Sequence, residues 1–408
     1  MSELVGWRRA RGAILFAGLG YFVDIFDLLL FAVLRVPSVR DLGVGDRTLE
    51  VGTLLQNAQL VGMMVGGLAW GMLGDRRGRR SVLYGSIVLY SLATLGNATA
   101  TSVTQYLVWR VLAGIGLAGE LGAALTLVSE LVEPRERGTA TTLVATLGVM
   151  GAVAAALVGE WLPWRTAYVV GGVLGFALLL LRLNLADSPM FARTRERVAG
   201  RGDIRRVFAT PSRALRYLRA IAIGVPIWFS SGVLITFAPE FARAMGITTP
   251  VTAGRAVLAF YAATTLGDLT SGLLSQRLRS RRASVAVFMV LNGLGIAAYL
   301  SGVASTAAGL YAICAWLGLA TGYWAVMVTM AVEQFGTDLR ATVGTSVPTF
   351  VRATAVPMTL GFVALRPGLG LVGAAASVAV VACAVAAAAL VTQPETYGRS
   401  LDFVEVDG

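Results

Sequence analysis

The chain has 408 residues, 56% of them hydrophobic and 14% charged, with a mean hydropathy of +0.72. That excludes an ordinary soluble domain of this size. Its net charge is +11 with neither lysine nor histidine present, which removes the usual zinc ligand and the usual general base.

Apolar runs near 20 residues follow one another with short breaks, the pattern of a polytopic helical membrane protein. Twelve spans are predicted, at 13–36, 51–73, 82–101, 106–131, 139–162, 165–186, 218–241, 252–276, 284–303, 306–333, 341–366 and 369–391. Arg8, Arg9 and Arg11 precede the first span. That span carries Asp24 and Asp27 and has no small-residue cleavage site, so it is expected to be retained rather than removed as a signal. Between the second and third spans lies Gly71-Met-Leu-Gly-Asp-Arg-Arg-Gly-Arg-Arg80, a glycine-rich turn with one acid and four arginines. Only Glu160-Trp-Leu-Pro-Trp-Arg165 separates the fifth span from the sixth, so these two should form a tight hairpin. The predicted organisation is an amino-terminal six-helix half (1–186), a polar linker (187–217), a carboxy-terminal six-helix half (218–392) and a tail (393–408).

Arginines crowd the amino terminus, the 75–80 turn, Arg135 and Arg137, the 193–219 segment, Arg277 to Arg282, and Arg340. They alternate with nearly neutral loops at 97–105 and 303–308. This is positive-inside patterning, and it puts both termini in the cytoplasm of a bacterial-type inner membrane. A basic surface facing anionic lipid needs no nucleic-acid partner. Cys314 and Cys383 lie inside predicted helices, so neither a disulfide nor a metal site is expected. No cofactor and no catalytic constellation are expected either, and the protein is not read as an enzyme.

The two halves echo each other at an interval of about 202 residues. Glu130 and Arg137 have the spacing E-x6-R, repeated by Glu333 and Arg340. Gly116-Leu-Ala118 returns as Gly318-Leu-Ala320, and Gly272 with Arg277, Arg279, Arg281 and Arg282 is a degraded copy of the 71–80 turn. Asp187-Ser-Pro189 has its counterpart in Pro394-Glu-Thr396. Two parallel six-helix repeats are an architecture of secondary transporters, and since one chain supplies both, a monomer is expected.

Ionisable groups inside hydrocarbon cost several kcal/mol (~2.5–3.5 on insertion scales), so each needs a partner or a role. Asp24 and Asp27 share one face of span one, a helical turn apart; Asp24 lies ~18 Å from the cytoplasmic end. Glu120 lies ~15 Å deep, and Arg352 ~18 Å into span eleven. Arg110 starts span four at a depth that could meet Asp27. Either these groups fix helix packing, or they carry protons and bind an anion: Asp24, Asp27, Glu120 and Arg110 for the proton, Arg352 for the substrate. Without imidazole, a proton relay must run on carboxylates. Asp268 is read as packing. Gln56, Asn57 and Gln59 in span two, Trp228, Ser230 and Ser231 in span seven, and Tyr323 and Trp324 in span ten are candidates to line a central cavity at the midplane, although membrane aromatics often only pack.

The turn resembles the loop 2–3 signature of the major facilitator superfamily, G-x-L-a-D-r-x-G-r-r, through Gly71, Leu73, Asp75, Arg76, Gly78, Arg79 and Arg80. The paired E-x6-R elements, the Asp187-Ser-Pro-Met-Phe191 box and Pro394-Glu-Thr-Tyr-Gly-Arg-Ser-Leu401 resemble its sugar-porter and metabolite:proton symporter branch. In span seven, Pro226-Ile-Trp-Phe-Ser-Ser-Gly232 replaces the paired glutamines of true sugar porters, so a hexose is not expected. The Ser-Pro-x-Phe box and Gly119-Glu120 are more similar to organic-acid symporters, and the double aspartate of span one also resembles phosphate:proton symporters.

The resemblance implies an all-α, twelve-span major facilitator fold. It implies that Arg110, with Gly114 four residues on, pairs with the acid of span one. It also implies a cytoplasmic gate made by Gly71, Asp75, Arg76, Gly78 and Arg79 with Glu130–Arg137 and Glu333–Arg340. The expected function is secondary active transport of a small polar metabolite, an organic anion first, by proton symport with alternating access. A proton-coupled efflux antiporter or an uncoupled facilitator are the alternatives. Substrate, protons and the lipid bilayer are the expected partners.

Overall fold

The computed structural model describes residues 7–77, 79–118, 137–185, 204–336, 339–398 and 405. Regular structure among the described residues is entirely helical. The chain divides into two compact units, Met1–Gly200 and Arg201–Gly408, so the division falls within the 187–217 segment.

The first unit contains α1 (Trp7–Asp41), α2 (Thr48–Arg77), α3 (Arg79–Ala98), α4 (Val103–Ala118), α5 (Arg137–Trp161) and α6 (Trp164–Leu185). Helix α1 runs through Pro37 and ends five residues later than the predicted span, at Asp41. The extra turn brings the Asp41 carboxylate to the Trp164 indole N–H (3.2 Å) and the Arg165 guanidinium at the start of α6. The 71–80 turn is shorter than expected. Helix α2 stays helical to Arg77 and α3 starts at Arg79, so most of the signature is helix end rather than loop. Phe26, Leu30, Phe31, Leu34, Tyr106 and Tyr168 are fully buried in one cluster.

Lipid tails are as apolar as leucine, so these helices gain little by hiding apolar area from one another; close backbone packing has to hold them. The glycines supply it. A Cβ on Gly62 would lie 2.3 Å from the Val111 carbonyl oxygen, and one on Gly114 2.0 Å from that of Gln59. Helices α2 and α4 therefore touch main chain to main chain.

The second unit begins with a short 3₁₀ turn, Ile204–Phe208, and α7 (Pro211–Phe229). Thr210 caps α7 by accepting the Arg213 N–H, and Pro211 occupies the first turn, where its missing N–H costs nothing. Residues 211–217, expected in the linker, are thus the first two turns of this helix. The helix continues as a π turn, Ser230–Ile235, followed by α8 (Ala238–Ala244). The irregularity falls downstream of Pro226, where the Thr236 N–H reaches back five residues to the Ser231 carbonyl.

Helices α9 (Ala253–Leu278) and α10 (Arg281–Leu300) meet at Arg279, whose left-handed φ of 49° closes the first and whose neighbour Ser280 caps the second. Span ten is two helices, α11 (Ala307–Thr321) and α12 (Trp324–Val332), broken at Gly322–Tyr323. Helices α13 (Arg340–Ala353) and α14 (Ala355–Thr392) complete the unit. Gly370 (φ 68°, ψ 179°) breaks α14, one residue from the predicted boundary between spans eleven and twelve.

Among the described residues six segments are long and apolar enough to cross a membrane by length and composition: Trp164–Leu181, Pro211–Ile235, Ala253–Leu278, Arg281–Leu300, Ala307–Val332 and Thr342–Thr392, the last holding two predicted spans. The second unit repeats the glycine contact of the first. A Cβ on Gly318 would lie 1.9 Å from the Phe260 oxygen, and one on Gly322 2.2 Å from the Gly267 carbonyl carbon, so α9 and α11 touch as α2 and α4 do.

Candidate functional site

In the first unit the charged groups of the spans are buried: Asp24 is 1%, Asp27 2% and Arg110 1% exposed. Asp24 and Asp27 lie one turn apart in α1. Asp27 Oδ1 accepts a 2.7 Å hydrogen bond from the Thr94 hydroxyl on α3, while its Oδ2 has no hydrogen-bond partner among the described residues. The expected Asp27–Arg110 ion pair is not formed. Arg110 instead donates to Gln59 Oε1 on α2 and stacks over the Phe31 ring at 4.0 Å.

The reason is local. Gly114 lets α2 lie against α4, which puts Gln59 within reach of Arg110. Thr94, opposite Asp27, fits because Gly171 of α6 leaves room for its methyl group: a Cβ there would be 3.1 Å from it. Gln59, expected to line the cavity, is thus bound to the arginine; Asn57 is buried and Gln56 half-buried on the same helix. Glu120 and Glu130 lie outside the described residues, as does Gly78. The side chains of Asp75, Arg76, Arg79 and Arg137 are also outside them, and Gly71 is described only as helical backbone.

A second polar group sits where α1 ends and α4 and α6 begin. The Tyr106 and Tyr168 hydroxyls are 2.6 Å apart, Tyr106 also donates to Ser38 at 3.2 Å, and Arg165 donates to the Ala100 carbonyl at 3.1 Å. The Arg165 hydrogen bond outweighs burial and holds the Asp41 carboxyl below the usual carboxylate range. None of these partners carries a motif. Ser38, Tyr106 and Tyr168 are ordinary hydroxyls in apolar runs, and only the helix crossings bring them together.

In the second unit Arg352, 2% exposed, lies with its guanidinium 6.0 Å from the Trp228 ring centre. Around the π turn, the Ser230 hydroxyl donates to Asn292 Oδ1 (2.9 Å) and Ser231 shares a 2.8 Å bond with the Tyr261 hydroxyl. Asn292 was legible as a lone amide in the apolar run Val285–Ile296 but was not singled out; Tyr261 had no such signal. Tyr323 is fully buried and its hydroxyl donates to the Ile223 carbonyl at 3.1 Å. It ties span ten to α7. Trp324, its neighbour, is half-buried.

The E-x6-R element here is rearranged. Glu333 pairs with Arg281 at 3.2 Å and accepts from the Thr396 hydroxyl at 2.7 Å, not from Arg340. Arg340 donates to the Phe335 carbonyl at 3.2 Å across the turn that begins α13. Seven residues of sequence do not bring the two side chains together, because Glu333 ends α12 beside the start of α10 while Arg340 opens the next helix.

Glu395 of the Pro-Glu-Thr box accepts from the Ser280 hydroxyl and from the N–H groups of Arg281 (2.9 Å) and Arg282 (3.3 Å). Burial pushes its carboxyl up, but the hydrogen bonds from Ser280, Tyr397, Arg281 and Thr396 together hold it below the usual carboxylate range. Glu405 joins Arg213 (3.2 Å) and Arg216 (3.0 Å) at the same end of the unit. Among the described residues no group of histidine, cysteine and acidic side chains is arranged to hold a metal ion.

Two repeated helical units with charged groups buried in apolar helices are the architecture of a membrane transporter. Comparison with known proteins agrees. Residues 17–356 match the Major Facilitator Superfamily, and the chain belongs to that family. It is 30% identical over 309 residues to the 3-(3-hydroxy-phenyl)propionate transporter of Escherichia coli (strain K12), covering 71% of this chain and 72% of that one. It is 28% identical over 360 residues to the niacin transporter NiaP of Acinetobacter baylyi, covering 79% and 80%. A solved D-xylose-proton symporter shares the fold, with a TM-score of 0.70 at 16% identity, covering 95% of this chain and 99% of the other. The protein is therefore an integral membrane metabolite transporter of the major facilitator fold and not an enzyme.

Proposed function

We propose that this protein carries a small organic anion, an aromatic monocarboxylate by preference, together with protons across the inner membrane, both termini being cytoplasmic. The observation that carries the reading is Arg352, a guanidinium buried in the last turn of α13, within predicted span eleven, and set over the Trp228 ring. A fixed cation beside an aromatic face suits a planar carboxylate, which takes charge from the first and stacking from the second. The relatives named above carry substrates of that kind.

Proton coupling is supported by Asp24 and Asp27. Two carboxylates one turn apart in hydrocarbon cannot both stay ionised cheaply, so one of them exchanges a proton as the transporter turns over. Arg110, held by Gln59, sets the field in which they do so, and Glu120 is proposed to act with them. Gln56, Trp228 and Trp324 line the substrate path. The cycle is alternating access. The turn of Gly71, Asp75, Arg76, Gly78 and Arg79, the pair Glu130–Arg137, and the Glu333–Arg281–Thr396 cluster beside Arg340 hold the cytoplasmic side shut and part when it opens.

The test uses purified protein in vesicles containing a pH dye, with nicotinate and 3-(3-hydroxyphenyl)propionate as probes. Addition of substrate to wild type should move protons in the same direction, and an inward proton gradient should concentrate the substrate at least tenfold. Arg352→Gln should raise KM at least ~10-fold, the worth of one charge-assisted hydrogen bond, while the protein stays folded. Opposite proton movement would make it an antiporter, and substrate flux with no proton movement a facilitator.

A further inference from the structure

Span eight carries an acid that the proposed cycle leaves unused. Asp268 lies ten residues from Leu278 and fifteen from Ala253 in α9, so ~15 Å and ~22 Å from its two ends, in the middle of the hydrocarbon. The one hydrogen bond to its carboxylate among the described residues is from the Ala325 N–H to Oδ1, at 3.4 Å. Ala325 is the second residue of α12, directly after the break in span ten.

The break itself is held by the same stretch of α9. Ser271 donates to the Gly322 carbonyl at 2.6 Å, and Gly267 touches Gly322 main chain to main chain. Toward the other end of α9, Tyr261, Thr265 and Asp268 stand at i, i+4 and i+7, a polar stripe on a membrane helix, and Tyr261 bonds Ser231 of the π turn. The stripe thus joins the two irregular helices of this unit, spans seven and ten.

Among the described residues Asp268 forms no ion pair. Helices α11 and α12 have no charged side chain, and α7 has none after Arg219. On α10 the charges are Arg281 and Arg282 in the first turn, and Arg281 is paired with Glu333. Helix α8 carries Glu240 and Arg243, separated from α9 in the chain by the 245–252 loop. Arg255 and Arg277 on α9 are ~20 Å and ~14 Å away along the axis. The other titratable neighbours are hydroxyls already bonded, Tyr323 to Ile223 and Tyr299 to Leu234, and the Cys314 thiol on α11. An intramembrane acid with no counter-cation is expensive to keep without a role.

We propose that Asp268 is a second proton-exchange site, which couples protonation to the break in span ten. In the ionised form it holds the Ala325 N–H at the start of α12, where a helix favours an anion. A proton arriving from water on one side cancels that charge and loosens the hold, so Gly322–Tyr323 is free to re-pack. Return to the ionised form delivers the proton to the other side and restores the cap. No covalent bond is made or broken. Asp268 acts on the substrate path through α12 and Trp324, as a positioning residue.

The inference rests on the proton-symport reading, and one experiment separates the two. Full-length Asp268→Asn is compared with wild type in vesicles, using nicotinate. Asparagine still accepts the Ala325 N–H but takes up no proton. The ratio of gradient-driven accumulation to equal-pH counterflow should fall at least tenfold, with thermal unfolding unchanged, and Asp268→Glu should restore it. A wild-type ratio in Asp268→Asn overturns the inference, as does an equal loss of both activities in folded protein, which would make Asp268 a helix cap alone. If Asp268→Asn does not fold, Asp268→Glu decides. A pH profile of uptake displaced by half a unit or more supports proton exchange, and an unmoved profile overturns it. Wild type that moves substrate without protons sinks the symport reading itself, whatever Asp268 does.

Discussion

Thr94 holds Asp27 through a single 2.7 Å hydrogen bond, and a hydrogen bond to a charged group is worth ~1.5–3 kcal/mol. If Asp27 exchanges the proton, Thr94 orients it. Thr94→Val, which keeps the shape and removes the donor, should lower gradient-driven uptake ~5-fold or more, and Thr94→Ser should recover most of it. Equal uptake by the valine variant would mean that Asp27 needs no such partner. Tyr323 gives the opposite case. Its hydroxyl is spent on the Ile223 carbonyl, so Tyr323→Phe should cost ~1 kcal/mol of stability and leave KM alone; a KM raised tenfold would return it to the substrate path. Asp24, Asp27, Arg110 and Arg352 were all legible as residues, because a charge in an apolar run stands out. Their partners were not, since nothing distinguishes Thr94 from any other threonine in a membrane helix.

Among the helices, glycine contacts decide the packing. Gly318 has the Phe260 oxygen where a Cβ would go, and the main chain there cannot yield as a flexible side chain would. Gly318→Ala should cost ~2–4 kcal/mol by forcing α9 and α11 apart, seen as a Tm lower by ~5 °C or more; Gly272→Ala, in open space, should change Tm little. Glu395 does similar work at the start of α10. It caps three donors there, and Glu395→Ala should cost ~1–2 kcal/mol.

Because its carboxyl is held below the usual range, that contribution is complete above the unfolded value of about 4.3. It is lost as pH falls through the lower folded value. The stability gap between wild type and Glu395→Ala should therefore be constant from about pH 8 to pH 6 and close only below about pH 4; a gap that widened on acidification would reverse the sign. The E-x6-R spacing marked Glu333 correctly as an ion-pair residue and mispaired it. Arg340 lies nearer in the chain than Arg281, but only Arg281 lies nearer in space.

Across the whole molecule, each unit has its own glycine-packed pair of helices, α2 with α4 and α9 with α11. Cleavage at a protease site inserted after Gly200, where the units divide, should leave nicotinate binding in vesicles within about threefold of the uncut protein, since each unit is compact by itself. Loss of binding on cleavage would show that the connecting segment is itself structural.

Hydropathy, arginine placement and the 202-residue echo were enough by themselves for an all-helical, twelve-span, twofold-repeated membrane transporter. These are properties of one dimension, and lipid enforces them: a helix is the only open segment that satisfies its backbone in hydrocarbon. Which side chains meet is a property of crossings. Arg110 with Gln59, Asp27 with Thr94, Glu333 with Arg281 and Asp268 with the break in span ten all depend on how closely two backbones approach. The tertiary structure decided that, through glycines whose contacts no spacing along the chain reveals.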